Sequence, residues 1–338
     1  MRIDRLGEAG LIRLIQRTVR SRGRVRVGIG DDACVLADGT VMTTDAYAEG
    51  VHFDFSYMTW REVGQRCACG AISDVVAMAA QPEVVLVALA VPPDTDSLRV
   101  KQLYAGIEDV CAEMGCEVAG GDIIALDRLV LALTVTGRTR HPRLRSGARV
   151  GDMVYVTGSL GAAEAGRRVL EDEVSGQKPK VKGRNRGRRP VAPRWTRGLV
   201  ERHLRPLPRL AVVKALAPRI RGLIDTSDGL ATDGQHLCEM SRVRIVLEAR
   251  HIPTSLATKW FCAEKDLDLT QFALSSGEDY ELLFTSRASL PAQIKGVDVT
   301  CIGCVRAGSG LYLEQDGHVR RVTIGGYDHL NRNTGAGG

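Results

Sequence analysis

The chain has 338 residues, of which 44% are hydrophobic, 25% charged and only 4% aromatic. Such a make-up suits a globular protein with an aliphatic core, long for one domain and comfortable for two, and excludes a low-complexity or collagen-like chain. The net charge of +6 is local: nine basic residues and no acidic one lie between Lys178 and Arg197, and the rest of the chain sets 37 basic residues against 40 acidic.

Taken in order, an amphipathic pattern predicts a helix over residues 11–19 and alternation predicts a strand over 24–29. A turn follows, then a strand over 40–44 ending at Asp45 and a loop over 47–55. An Ala-rich helix spans 60–80 and stops near Pro82, and an apolar run over 83–91 reads as a buried strand. A helix over 96–114 is closed by Gly115; 117–119 leads into Gly120-Gly121-Asp122, and 129–137 is a strand. Residues 145–148 mark a domain boundary. Beyond it come a strand over 153–157, the turn Gly158-Ser159-Leu160-Gly161 and a helix over 162–170. The basic segment 174–197 is too rich in Gly, Pro, Lys and Arg to build a core and reads as an extended loop. Structure resumes with a helix over 208–216, a strand into Asp225, a turn over 226–230, a helix to 240, a strand over 244–248 and a helix near 255–263. Strands over 282–285, 299–305 and 311–313 and a polar tail over 331–338 complete the chain. Alternating strands and helices predict an α/β (α+β) fold in two domains, 1–147 and 148–330.

No apolar run approaches the roughly 18 residues of a membrane span, and no N-terminal stretch has the build of a secretory signal. Nine cysteines, an odd number spread along the chain, predict free thiols and a cytoplasmic location. Cys301-Ile302-Gly303-Cys304 has C-x-x-C spacing without a second pair, so buried thiols are favoured over a zinc or redox site.

Gly28-Ile29-Gly30-Asp31-Asp32-Ala33 matches the loose dinucleotide pattern, but no helix is predicted after it and its two acids would repel a pyrophosphate. Acids recur at strand ends or beside Gly, Ser and Thr: Asp32, Asp45, Asp74, Asp122, Asp225 and Asp228. Each alone reads as a turn or helix cap; together they predict a site for hard cations, magnesium above all, which takes oxygen ligands and shares them with phosphates. Gly158 to Gly161 could cradle a phosphate, though a tight strand-to-helix turn is the plainer reading. His52 lies in a loop near the acids, able to pair with an anion. No Walker-type loop or protein-kinase motif set occurs.

These stretches resemble the thiamine-monophosphate kinase family, of the superfamily that includes aminoimidazole ribonucleotide synthetase and selenophosphate synthetase. The resemblance runs from Leu6-Gly7-Glu8 to Gly326-Tyr327-Asp328-His329-Leu330. Between them it takes in Gly-Ile-Gly-Asp-Asp at 28–32, Thr-Thr-Asp at 43–45, Glu-Gly-Val-His-Phe at 49–53, Ser-Asp at 73–74, Gly-Gly-Asp at 120–122, Arg-Ser-Gly-Ala at 145–148, Asp-Thr-Ser-Asp-Gly-Leu at 225–230 and Ser-Gly-Glu-Asp-Tyr-Glu-Leu at 276–282. It implies ATP-dependent, direct in-line phosphorylation of thiamine monophosphate to thiamine diphosphate, in a dimer paired through the N-terminal domains. It further implies that Asp32, Thr43, Thr44, Asp45, Asp74, Asp122, Asp225 and Asp228 bind several magnesium ions; that Tyr104, Gly121, Asp122, Arg145 and Ser227 contact ATP; and that His52, Glu278 and Tyr327 contact thiamine monophosphate.

Two positions depart from the family pattern: Ala71, where Asn is frequent, and Ile123, where Thr is common. The basic segment is no family feature and reads as a solvated insertion, with a contact to nucleic acid or another polyanion as the alternative. Among rival functions, a selenophosphate synthetase would need a reactive Cys or selenocysteine near the start, and residues 1–27 contain no Cys. A hydrogenase-maturation relative is expected to end in Cys, where this sequence reads Asn333 to Gly338. A purine-precursor ligase matches residues 276–282 less well. A polyanion-binding protein on a degenerate kinase scaffold is at odds with the intact acids.

Overall fold

The computed structural model describes residues 3–20, 22–176 and 193–323. The first half contains α1 (Gly7–Thr18), β1 (Val25–Val27), β2 (Cys34–Leu36), β3 (Thr40–Ala48), α2 (Trp60–Ala77), β4 (Gln81–Val91), α3 (Ser97–Met114), β5 (Glu117–Ala125) and β6 (Val130–Arg138). Its strands form one six-stranded sheet in the order β1-β2-β3-β6-β4-β5. Among its described strands only β4 and β5 pair in parallel, joined by a crossover through α3.

The second half contains β7 (Met153–Thr157), α4 (Ala162–Ser175), α5 (Arg197–Leu204), α6 (Leu210–Leu216), β8 (Leu223–Asp225), α7 (Leu230–Ser241), β9 (Arg244–Glu248), α8 (Leu256–Glu264), α9 (Leu269–Ser275), β10 (Leu282–Ser286), β11 (Gln293–Ile294), β12 (Val297–Arg306), β13 (Gly310–Gln315) and β14 (His318–Arg321). These strands build an eight-stranded sheet, β14-β13-β9-β12-β7-β10-β8, with β11 paired to β12.

The sequence explains the joint between the halves. Successive side chains of a strand point to opposite faces. On β7, Val154 and Val156 enter the core of the second half, while Tyr155 enters a larger core shared with the first. On β10, Leu283 goes one way and Leu282 and Phe284 the other. The shared core holds Val63, Ile72 and Val75 of α2, Val87 and Leu133 of the first sheet, and Leu210, Val213 and Leu223 of the second half. Two-sided burial is why β7 and β10 read as apolar runs.

Helix α2 is buried on nearly every side, a consequence of its Ala, Gly, Cys and Val content. It starts at a capping box in which Thr59 accepts from Glu62 N and Glu62 accepts from Thr59 N, a device with a typical effect of about 1 kcal/mol. It crosses α3 so closely that a Cβ on Gly64 would overlap the Leu103 carbonyl, and one on Gly106 the Arg61 carbonyl.

Several elements differ from the sequence expectation. Strand β5 runs on past 117–119 through Gly120 and Gly121 to Ala125, and Gly121 sits too close to the Val87 carbonyl for any side chain. Helix α1 begins earlier than expected, at Gly7. Helix α4 continues to Ser175, supported by Glu164 with Arg167 and Arg168 and by Arg167 with Glu171, at helical spacing. The far end of the basic segment is not an open loop: Trp195 packs beside the core, Thr196 is buried and α5 begins at Arg197.

Candidate active site

Asp32, Asp74 and Asp225 come to one place from three elements. Asp32 lies in the turn before β2, Asp74 in the last turn of α2, and Asp225 at the end of β8 in the other half. One carboxylate oxygen from each lies within 4.8 Å of the others. Thr43 donates to Asp74 Oδ2 at 2.7 Å, and Ser73 donates to Asp225 Oδ2 at 2.6 Å. Arg145, in the connection between halves, donates to Asp32 Oδ1 through Nη2 at 2.6 Å and Nε at 3.2 Å. The other oxygen of Asp32 is buried without a hydrogen-bond partner.

This crowding is electrostatically costly. Burial, then the charges of Asp45, Asp225 and Asp32, hold the Asp74 carboxyl well above its usual range. Burial and the Asp32 charge push Asp225 up to about 7. The same two causes push Asp31 up to about 6. A hard cation would relieve both the burial and the repulsion. The all-oxygen donor set and the orphaned Asp32 Oδ2 fit magnesium.

The other expected metal residues are placed differently. Asp45 is near enough to Asp74 to affect it electrostatically, and Asp228 stands in the same relation to the buried Asp233. Thr44 faces away from Thr43, its hydroxyl bonded to Thr134 at 3.1 Å. Asp122 stands on the exposed edge strand β5, where its Oδ1 accepts from Ile123 N at 2.9 Å. It is three strands from Ala46, so about 14 Å across the sheet at the usual strand spacing.

Of the residues expected to contact ATP, Tyr104 is half-buried on α3 and Gly121 lies against β4. Ser227 accepts at its carbonyl from Glu278 N at 2.7 Å. Of those expected to contact thiamine monophosphate, His52 accepts at Nδ1 from Ala48 N at 3.1 Å, which puts the proton of the neutral ring on Nε2 as a donor. Glu278 pairs with Arg66 of α2 across the joint, Nη2 to Oε2 at 2.5 Å. Glu278 and Tyr280 both adopt left-handed backbone, φ 63° and 49°, a strain that β-carbon-bearing residues hold only when their surroundings fix them. Here the neighbours do: Tyr280 N donates to Thr226 O at 3.0 Å, and Asp279 accepts from Gly161 N at 2.6 Å and Ala163 N at 3.0 Å. The latter pair answers the phosphate-cradle reading of 158–161, since those amides at the start of α4 are taken by Asp279. Burial would raise Glu281, but Arg209 and Arg202 beside it and a Thr157 hydroxyl hold its carboxyl below the ordinary range. Tyr327 and residues 177–192 of the basic segment lie outside the described residues.

The family model "AIR synthase related protein, N-terminal domain" matches residues 30–139. A thiamine-monophosphate kinase of Aquifex aeolicus is 33% identical over 98% of this chain and 100% of its own. The chain belongs to the thiamine-monophosphate kinase family. The family's Escherichia coli K12 member is 31% identical over 96% of this chain and 98% of its own. Among solved structures, the complex of AaThiL with AMPPCP and TMP superposes with a TM-score of 0.83 at 32% identity, covering 97% of this chain and 99% of that one. A hydrogenase maturation protein of E. coli, 19% identical, shares the fold alone, with a TM-score of 0.64 over 85% of this chain and 87% of that one.

Two residues near the expected site are not among those the sequence singles out: Arg66, which pairs with Glu278, and the buried Asp233. Asp233 follows Asp228 by five positions on α7, is 2% exposed and keeps Oδ2 without a hydrogen-bond partner. Its one sequence signal is an acid in the first turn of a helix, which ordinarily marks only the helix dipole. The two departures from the family pattern also have places: Ala71 is fully buried in α2, and Ile123 is exposed on β5.

Proposed function

We propose that this protein transfers the γ-phosphoryl group of ATP to the phosphate of thiamine monophosphate, giving thiamine diphosphate and ADP, in line and without a phosphoenzyme. The observation that carries this reading is the buried meeting of Asp32, Asp74 and Asp225 from both halves, in a chain of this family. Magnesium ions on Asp32, Asp45, Asp74, Asp225 and Asp228, with Thr43, would neutralise the phosphates and let two polyanions approach, while Asp122 on the edge strand and Thr44 on the far face of β3 stand apart from the carboxylate cluster and would serve a separate ion.

The chain's own groups do the rest. Tyr104, Gly121, Asp122, Arg145 and Ser227 contact the nucleotide. His52, Glu278 and Tyr327 contact thiamine monophosphate, His52 offering its Nε2 proton to an anionic oxygen. Arg145, already bonded to Asp32, brings a fixed positive charge to the edge of the carboxylates.

The reading includes a homodimer. Strand β5 is the open edge of its sheet, and Leu86, Ile123, Ile124 and Leu126 are exposed on or beside it, with Ile123 68% exposed. An apolar edge of this length is suited to a second copy of the same strand. No helix among the described residues is long and apolar enough to cross a membrane, and all nine cysteines are free thiols, which supports a cytoplasmic enzyme.

The test is purified protein with ATP, Mg²⁺ and thiamine monophosphate, assayed for thiamine diphosphate. Folded protein that forms none would sink the proposal.

A further inference from the structure

We infer that Tyr47 is a positioning residue for the phosphoryl-transfer site, fixing the Asp45 carboxylate through its hydroxyl while its ring braces His52. The inference rests on the reading that Asp45 holds magnesium and His52 meets the acceptor phosphate.

Asp45 and Tyr47 are two apart on β3 and share a face. Tyr47 Oη donates to Asp45 Oδ2 at 2.9 Å, and the tyrosine is only 7% exposed. The edge of its ring meets His52, with centroids 5.6 Å apart and planes at 76°. Helix α2 leaves room for this arrangement. A Cβ on Gly70 would overlap the Tyr47 hydroxyl and lie 3.0 Å from that of Tyr280, two residues beyond Glu278. One buried phenol thus stands where the metal strand, the central helix and the acceptor loop meet.

The physical need is specific. Asp45 lies in the field of Asp74, and like charges favour turning its carboxylate away toward water. A hydrogen bond to Oδ2 holds the group in place against that repulsion. Outer hydrogen bonds of this kind tune ligand orientation and metal affinity.

Tyr47→Phe deletes one oxygen and keeps the ring against His52. Calorimetric titration of Mg²⁺ into nucleotide-free protein is expected to show about 10- to 100-fold weaker binding. The Mg²⁺ needed for half-maximal turnover should rise with it, saturating Mg²⁺ should recover much of kcat, and KM for thiamine monophosphate should stay within about twofold. Near-ultraviolet circular dichroism reports whether the core is intact; should Tyr47→Phe not fold, Gly70→Ala, which drives the hydroxyl off Asp45, must show the same Mg²⁺ defect. Asp45→Asn is run alongside. Weak Mg²⁺ binding in Asp45→Asn with wild-type binding in Tyr47→Phe overturns the role of Tyr47. Wild-type binding in both overturns the assignment of Asp45 on which it rests.

Discussion

Above pH 7 Asp225 is ionised although it is 1% exposed and within 4.8 Å of two other carboxylates. Its folded carboxyl keeps a proton up to about 7, while the unfolded one releases it near 3.8. Between those values the folded chain binds the extra proton, so this group's contribution to stability is present at low pH and is lost as pH rises through 7. Asp225→Asn removes the charge and keeps an oxygen that can accept from Ser73. In chelator, thermal unfolding should show the variant more stable than the parent at pH 8, with the gain gone below pH 4. Turnover with Mg²⁺ should fall by about 10²-fold or more. A variant that is active, or no more stable at pH 8, would contradict the placing of Asp225 in the charged cluster.

The crossing of α2 and α3 governs the site at the next scale. Gly64→Ala puts a Cβ into the Leu103 carbonyl, so the helices must separate. The expected cost is about 1–3 kcal/mol in urea unfolding, with a loss of turnover because α2 carries Ser73 and Asp74. Such effects mark what was legible from sequence. Long elements were, because their period or apolar run fixes their type: α3, β6 and the strand over 153–157 lie where the pattern puts them. The run of β5 through Gly120-Gly121 leaves no such mark, since a glycine pair has no side-chain period and here answers the close approach of β4, a tertiary fact. Strands of three residues such as β2 have no measurable period. The same holds at the site. Asp32, Asp74 and Asp225 stand out by their Gly and Ser neighbours, but the Arg66 pair with Glu278 links residues more than two hundred apart and leaves no local mark.

For the whole molecule, the exposed edge of β5 and the shared core make different demands. If the proposed dimer forms through β5, Ile123→Lys, which places a charge on the apolar edge, should convert it into monomers by light scattering; a dimer mass unchanged by the substitution would rule out pairing through β5. The core has a consequence for synthesis. Residues 1–147 leave the ribosome before Leu282, Phe284 and Val299, which complete the apolar surroundings of α2, have been made. At about 5–20 residues per second that wait lasts roughly seven to thirty seconds. During it the nascent first half carries an apolar face that its own second half has yet to cover.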